Sequence, residues 1–585
     1  MGQARAERND PSVTPSGLAD LVYRNAHEAP RAPAFTHRVH EQWVDVTTTG
    51  FLRDVTAVAK GLIAAGVGSG DRVVVVGVGG YAWPLLAFAL WAVRAVVVPV
   101  HPACPATRLA HLVRDCRPAA VVLPDGRHAG EVAALQRELH DLGRIWRLDR
   151  EGIEAITRPG AYIDPSAVRF RREETRRADP AAIVYPASTR PRVRGVVVTH
   201  GNLLAAAQGV VEVVGPLRGG DGQAGALVHL PPAAPLWLVA ITGCVLARAR
   251  AVLAGPGRSV ERDARETSPE VVLTHPRVLE RIGGGEPVGP GRETPAAGER
   301  RRGAWRLVAR SRQERPHTRL REALGGRATV VVCAGERPPE PVARRYAEAG
   351  IAVVHGFGLA TTSGPFLLDT AVDGAGTGGR ALPGAQVRVS AEGEVLVRGP
   401  LVSPGWWGES GDDGREEGWL ATGVRGEVDG EGRLSVRGAL SPTRGGPQAE
   451  DGVALRLEAA LLEHPLIGQA MVMDRGFAHT GALLTLDRDQ LEYWRLVNGR
   501  SLSATPAELA ADPLLREEID QAVRAANAEV DPRSAIRSFH VLPEPFSLHS
   551  GLVLASGRLR RDAVLRAFAE EIAAMYQVET VREEQ

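Results

Sequence analysis

Residues 183–200 read IVYPASTRPRVRGVVVTH: an apolar strand, a polar turn rich in Ser, Thr, Arg and Pro, and a second β-branched strand ending in Thr199 and His200. This is the build of a phosphate-holding loop between two strands. Such loops normally use glycines, because backbone N–H groups must close on phosphate oxygens and some residues need φ > 0. Between Tyr185 and Gly195 there is no glycine. The frame of the loop and its chemistry point in different directions.

The sequence before the loop alternates helical and strand patterns. Residues 51–65 repeat apolar positions at helical spacing, GDRVVVVGV (70–78) is a continuous buried strand, and 82–94, 95–100, 105–115 and 119–123 follow as helix, strand, helix and strand. This predicts a βα-repeating layer around a buried parallel sheet, hence an α/β fold. Residues 320–358 give helix, strand, turn, helix and strand into a glycine turn, and 381–400 alternate as paired strands. Residues 283–304, all Gly, Pro and charge without apolar period, read as a surface loop.

The composition shifts after Arg437. GALSPTRGGPQAEDG (438–452) reads as a hinge or linker. From Val453 a smaller α+β domain is expected, with an amphipathic helix in VALRLEAALLEHP, strands in GQAMVMD and GALLTLD, and helices at 514–528 and 560–576. At 585 residues the chain is too long for one ordinary core, which agrees with two domains.

Charge and cysteine usage narrow the setting. A net charge of +1 argues against a nucleic-acid partner that depends on phosphate neutralisation. Lys60 is the single lysine among 70 basic residues, so no chemistry that needs a second ammonium is available. Arg is not an equivalent, being a planar fork that keeps its proton. Cys104, Cys116, Cys244 and Cys333 are far apart in apolar stretches and read as reduced core residues of a cytoplasmic protein.

Residues 1–14 read as a flexible N-terminus with neither signal peptide nor anchor. Two apolar runs could be taken for membrane spans. The run 83–100 is interrupted by Arg94 and ends in β-branched AVVVPV, so helix then strand fits better; the run 230–246 is broken by Pro231, Pro232 and Pro235. No transmembrane segment is expected, while peripheral membrane contact stays open.

Several segments then occur in a recognisable order: VVVTHGNLLAAA (196–207), THPRVLERI (274–282), HGFGLATTSG (355–364) and GWLATG (418–423). RLEAALLEHPLIGQAMVMD (456–474), ASGRLRR (555–561) and AEEIAAMY (569–576) follow. Together with the loop they resemble the AMP-forming acyl-CoA synthetases over nearly the whole chain. The last part is similar to the long-chain fatty acid CoA ligase branch. The resemblance implies a large multi-subdomain adenylation domain over 15–437, a hinge over 438–452 and a small mobile domain over 453–585. It also implies a two-step reaction, in which a carboxylate and ATP give acyl-adenylate and pyrophosphate and coenzyme A then takes the acyl group. ATP and Mg²⁺ are the implied cofactors, coenzyme A a further ligand, and a fatty acid or acyl-CoA the partner.

Carried onto this sequence, the nucleotide-binding positions are Ser188, Thr189, Arg190, Arg192, Arg194, Gly195, Gly356, Phe357, Gly358, Thr362 and Val424. Thr361 and Arg558 take the catalytic positions, and His200, Pro276, Arg277, Gly445 and Gly446 the acyl or coenzyme A positions. Departures concentrate here. Pro186 and Pro191 remove two N–H donors from the loop, while Arg190, Arg192 and Arg194 offer side-chain donors instead. Thr361 stands where the family has its Mg²⁺-associated Glu, and a hydroxyl is a poor substitute for a carboxylate at a hard cation. Val424 replaces a ribose-binding Asp and accepts no hydrogen bond. Arg558 replaces a bridging Lys, keeping charge but not compact geometry. Ala439 replaces a family Arg, Ala234 stands where a His is common, and Pro442 would stiffen the hinge.

Losing one preorganised donor typically lowers rate by about 10² to 10³. The expectation is a ligase homologue with lost or strongly reduced adenylation that retains an acyl-binding or regulatory role. An active ligase with an arginine-based phosphate site and a non-catalytic scaffold remain as alternatives. Other chemistry lacks its signature. The sequence has no GxSxG, Gly77-Val78-Gly79-Gly80 lacks the spacing of a dinucleotide fingerprint, and no metal-ligand spacing links His200, His275, His355 and His464. Those histidines read as caps or core-edge groups. The acidic run 409–417 reads as a solvated turn.

Overall fold

The structure, a computed structural model, describes residues 15–77, 79–102, 104–126, 128–186, 194–218, 223–233, 235–254, 259–283, 316–334, 337–370, 379–408, 418–430, 432–439, 452–462, 464, 466–474, 477–498, 500–501, 505, 508–509, 512–528, 530–547, 550–553 and 559–580. The chain divides into two compact units, with the main division between Arg437 and Gly438.

In the large unit the described residues form two big sheets. One has the spatial order Gly405–Trp406, Val196–Thr199, Pro180–Val184, Val96–Val100, Arg72–Val76, Ala120–Leu123, Arg144–Arg147. Its last five strands are parallel; the two that follow the loop turn antiparallel. The other runs Arg380–Ala381, Gly364–Thr370, Ala352–Leu359, Val330–Ala334, Val271–Thr274, Gly225–Val228, Arg250–Leu253, Pro33–Val39, Gln42–Thr47, with a parallel centre and antiparallel edges. A smaller antiparallel sheet, Gln386–Val389, Glu394–Arg398, Leu420–Val428, Leu434–Ala439, completes the unit.

Val-rich strands suit this arrangement, because a parallel strand buried on both faces needs a continuous apolar run. Val73, Val75, Val97 and Val184 of the first sheet and Leu253, Leu273, Val332 and Val354 of the second share one core with four helices. These are Thr48–Ala64, Ala82–Ala92, His200–Val213 and Pro235–Ala247. Helix Ala82–Ala92 is buried from Trp83 to Ala92, which explains why it is apolar all round rather than striped. It ends where Arg94 turns left-handed (φ 66°), and the chain re-enters as strand Val96–Val100. Both apolar runs are therefore core elements, and no helix among the described residues is long and apolar enough to cross a membrane.

The small unit has a three-stranded sheet, Ile467–Met473, Gly481–Leu486, Ser538–Leu542, antiparallel then parallel. Alternation decides its two faces. Ala470, Val472 and Leu484 pack with Leu457, Leu461, Leu515 and Ile519 of helices Gly452–Leu462 and Pro513–Asn527. Met471, Met473 and Leu483 pack with Val564, Ile572 and Met575. The helix expected over 560–576 is two, Arg561–Ala567 and Ala569–Thr580, because Phe568 leaves helical geometry (φ −117°) to reach Phe546. Glu458, almost fully buried, accepts from Val472 N–H and pairs with Arg561, which ties the first helix to the penultimate one. The 283–304 loop expectation and most of the linker lie outside the described residues, though Gly438 and Ala439 still belong to a strand.

Candidate nucleotide site

The phosphate-type loop leaves strand Pro180–Val184 through Tyr185 and Pro186 and returns at Arg194 and Gly195. Its entry is pinned to helix Ala106–Cys116. The Tyr185 hydroxyl donates to the Asp115 carboxylate, and Arg108 Nη2 donates to the Pro186 carbonyl at 2.8 Å. Burial first, then the neighbouring Cys116 and Asp115, push the Tyr185 pKa up, so the phenol keeps the proton it donates. Burial also lifts the Cys116 thiol to about 12.

The exit needs glycine for space. A Cβ on Gly195 would lie 2.4 Å from Ile183 and 3.0 Å from the Tyr185 ring, while the Gly195 carbonyl accepts from Trp407 N–H at 2.7 Å. Arg194 is exposed. Ser188, Thr189, Arg190 and Arg192 lie outside the described residues, as do Gly445, Gly446 and Arg558.

After the second strand the chain turns into helix His200–Val213 through a reciprocal cap. Asn202 N–H donates to Thr199 Oγ1 at 3.1 Å, and Thr199 N–H to Asn202 Oδ1 at 3.0 Å. His200, assigned by resemblance to the acyl or coenzyme A positions and read from the sequence as a cap or core-edge group, is 1% exposed, and its Nδ1 accepts from Leu18 N–H at 3.2 Å. Its Nε2 is buried without a partner, and burial holds its pKa down at about 4 despite the nearby Asp179, with Arg94 adding to the fall. It works as a neutral core histidine, as its place at a helix end allowed.

Opposite in sequence but joined in space is the turn after strand Ala352–Leu359. Gly358 admits no side chain, since a Cβ would come within 2.0 Å of the Gly364 carbonyl oxygen. Gly356 faces Pro365 and Leu368, and Phe357 meets Phe366 edge to face at 5.6 Å. Thr362 is fully buried and locally engaged. Its hydroxyl accepts from Leu359 N–H (2.9 Å) and faces the carbonyls of Leu359 (3.0 Å) and Gly364 (2.7 Å). The sequence offered this hydroxyl to a nucleotide; the turn already uses it. Ser363 follows in left-handed conformation (φ 56°), its hydroxyl buried without a partner.

Segment 400–407 connects the loop and the turn. Ser403 N–H donates to the Thr361 carbonyl (2.9 Å), Gly405 and Trp406 pair with Val197 and Val196, and Trp407 reaches Gly195. Asn202 Nδ2 holds this segment from the helix, donating to the carbonyls of Pro400 (2.7 Å) and Val402 (3.0 Å). Sequence reasoning missed Asn202, Ser403, Asp115 and Arg108. Only the Thr–X–X–Asn spacing signalled any of them.

The position that the resemblance assigns to the ribose, Val424, lies on strand Leu420–Val428. Gly423 takes φ 70° and its N–H donates to Glu394 (2.7 Å); Thr422 Oγ1 donates to the Val395 carbonyl (2.6 Å). Val424 follows with 1% exposure. Pro276 opens helix Pro276–Gly283, where Arg277 N–H donates to His275 Nδ1 at 3.3 Å, a local cap.

This arrangement can present backbone amides and an aromatic face, but it is poor in carboxylates where a magnesium nucleotide would need them. A hard divalent cation prefers oxygen anions, and Thr361 offers one neutral hydroxyl. No cluster of three His, Cys, Asp or Glu suited to a metal occurs among the described residues. Among the described residues, Thr361 does not supply the carboxylate that Mg²⁺ prefers.

Comparison with known proteins bears on ancestry. The model of the AMP-binding enzyme family matches residues 22–407, and that of the AMP-binding enzyme C-terminal domain matches 449–580. The chain is 30% identical to the long-chain-fatty-acid–CoA ligase FadD15 of Mycobacterium bovis over 590 aligned positions, covering 96% of this chain and 97% of the relative. The same protein of Mycobacterium tuberculosis gives the same values. Among solved structures, the adenylation–carrier didomain of carboxylic acid reductase from Segniliparus rugosus with AMP superposes with a TM-score of 0.72 at 15% identity, covering 98% of this chain and 84% of that one. O-succinylbenzoate coenzyme A synthetase from Bacillus subtilis, with ATP and magnesium, gives 0.62 at 16%, covering 93% and 98%.

Proposed function

We propose, from the premise that this chain belongs to the AMP-binding enzyme family and to its long-chain fatty acid CoA ligase branch, that it retains acyl or acyl-CoA binding while adenylation is lost or strongly reduced. The observation that carries this reading is Val424. Where the family anchors a ribose, this strand presents a buried branched alkyl group, so the missing acceptor is not supplied by the side chain that replaced it. Thr361 compounds the loss at the cation.

The reading places the protein downstream of free acyl chains as a binder or regulator. Its four cysteines, all free and buried, support a reducing cytoplasmic setting. The deciding experiment is ATP/pyrophosphate exchange with medium- and long-chain fatty acids. No exchange is expected. Robust exchange that disappears in Arg558→Ala overturns the reading.

A second reading, an active ligase with an arginine-based phosphate site, draws on near full-length similarity to a ligase and on the exposed Arg194 at the loop exit. It requires that exchange. Calorimetry separates what remains. Acyl-CoA bound in preference to ATP supports the binder, and neither bound supports a scaffold.

A further inference from the structure

Among the described residues, six strands lie at the edges of the large unit's sheets. Gly405–Trp406 and Arg380–Ala381 are two residues long, while Arg144–Arg147, Gln386–Val389 and Leu434–Ala439 each carry arginine. Short edges and basic side chains are how a sheet avoids pairing with another chain. The sixth, Gln42–Thr47, has neither protection. Its sequence QWVDVT runs six residues without Lys, Arg or Pro, and its hairpin leaves two apolar side chains in water, Val44 at 41% and Val39 at 36% exposure.

The hairpin fixes which groups point outward. Its turn residues His40 and Glu41 take φ 45° and 66°, and the register pairs Val39 with Gln42, Arg38 with Trp43, His37 with Val44 and Thr36 with Asp45. A two-residue turn of this kind closes on a hydrogen-bonded pair. Alternation therefore turns the amides and carbonyls of Gln42 and Val44 towards strand Pro33–Val39, and those of Trp43 and Asp45 towards the open edge. It also sets Val39 and Val44 on one face with His37, which stacks on Tyr81 at 4.7 Å. The charged groups beside the strand are engaged locally. Arg38 pairs with Glu41 and Glu266, Trp43 Nε1 donates to Glu266 at 2.7 Å, and Asp45 accepts from Thr36 Oγ1.

We propose that strand Gln42–Thr47 pairs antiparallel with the same strand of a second copy of this chain, across a two-fold axis at Val44. Outward groups must meet outward groups, so the axis of such a self-pairing passes through a residue rather than between two. Charge then selects the residue. Centred on Asp45, two carboxylates would stand opposite each other; centred on Trp43, Asp45 would face the second copy's Glu41, and like charges directly opposite are unfavourable. Centred on Val44, no such pair arises. Trp43 and Asp45 exchange hydrogen bonds with the second copy's Asp45 and Trp43, Glu41 faces Thr47, and the two valines meet in a non-hydrogen-bonded pair, where side chains come closest. A six-residue strand on each side makes a small interface, so the dimer forms reversibly with concentration. The proposal concerns a strand edge and stands whether or not the chain adenylates.

The test is sedimentation velocity of the full chain over a concentration series, where a monomer–dimer equilibrium is expected. Val44→Lys and Val44→Glu are each expected to weaken association about tenfold or more. The melting temperature stays unchanged, because Val44 is exposed. An equimolar mixture of the two variants is expected to recover the dimer, since opposite charges then stand face to face across the axis. Three results overturn the proposal: a wild-type chain that stays monomeric, association undiminished in either variant, or a mixture that fails to recover it. The first would leave the edge to an extended segment of another protein.

Discussion

The turn at 359–364 and the strand Leu420–Val428 would serve the same nucleotide in a member of this family, yet they have changed in different ways. In the turn, Gly358 has no room for a side chain and Thr362 closes the backbone with three polar contacts. On the strand, the backbone also keeps its bonds, with Gly423 to Glu394 and Thr422 to Val395, while the position that the resemblance assigns to the ribose holds the buried Val424. What survives is whatever holds the frame. What differs from the family's pattern at Thr361 and Val424 is side chains that the frame does not use.

If that division holds, substitutions sort by whether they touch the frame. The largest effect belongs to Gly358→Ala, whose Cβ would collide with the Gly364 carbonyl; a loss of about 3 kcal/mol or more is expected in denaturant unfolding. Little change there would mean the turn is not rigid. Next comes acid. The unfolded His200 imidazole takes a proton near 6.5 and the folded one only near 4, so in that window the unfolded chain binds more protons and stability falls as pH drops. The full effect is on the order of 3 kcal/mol, present above pH 6.5 and lost towards pH 4, and His200→Gln should flatten the curve.

Thr362→Val is expected to remove about 2 kcal/mol by leaving the partly buried Leu359 amide and the buried Gly364 carbonyl without the hydroxyl. Its neighbour gives the smallest effect. Thr361→Ala should change stability by less than about 0.5 kcal/mol, because only its main-chain carbonyl serves the frame. A large loss at Thr361, or none at Thr362, would erase the distinction between frame and lining.

Much of this was legible in the sequence where local pattern is enough. Helix then strand over 83–100 followed from Arg94 and the β-branched run, and GQAMVMD and GALLTLD were read as strands, whose two packed faces the structure adds. The substituted positions Thr361 and Val424 were read from motif order, and the structure adds how they are buried or bonded. What His200 and Asn202 bind at long range was not legible. Their partners, Leu18 and Pro400, lie 182 and 198 residues away, and no local spacing encodes such meetings. The local bonds of Thr362 were not legible either. A hydroxyl in a glycine turn looks available until the turn's own amides are counted.

The stitch made by segment 400–407 has a consequence in time rather than in energy. Its Ser403 and Trp407 amides close on Thr361 and Gly195, and Asn202 fastens the strip between them. Neither amide can open without disturbing the other's anchor, so both should exchange with deuterated solvent in one collective event at one rate. A molecule lodged against either wall would slow both amides together, which makes their exchange a reporter of occupancy even for a ligand that never reacts.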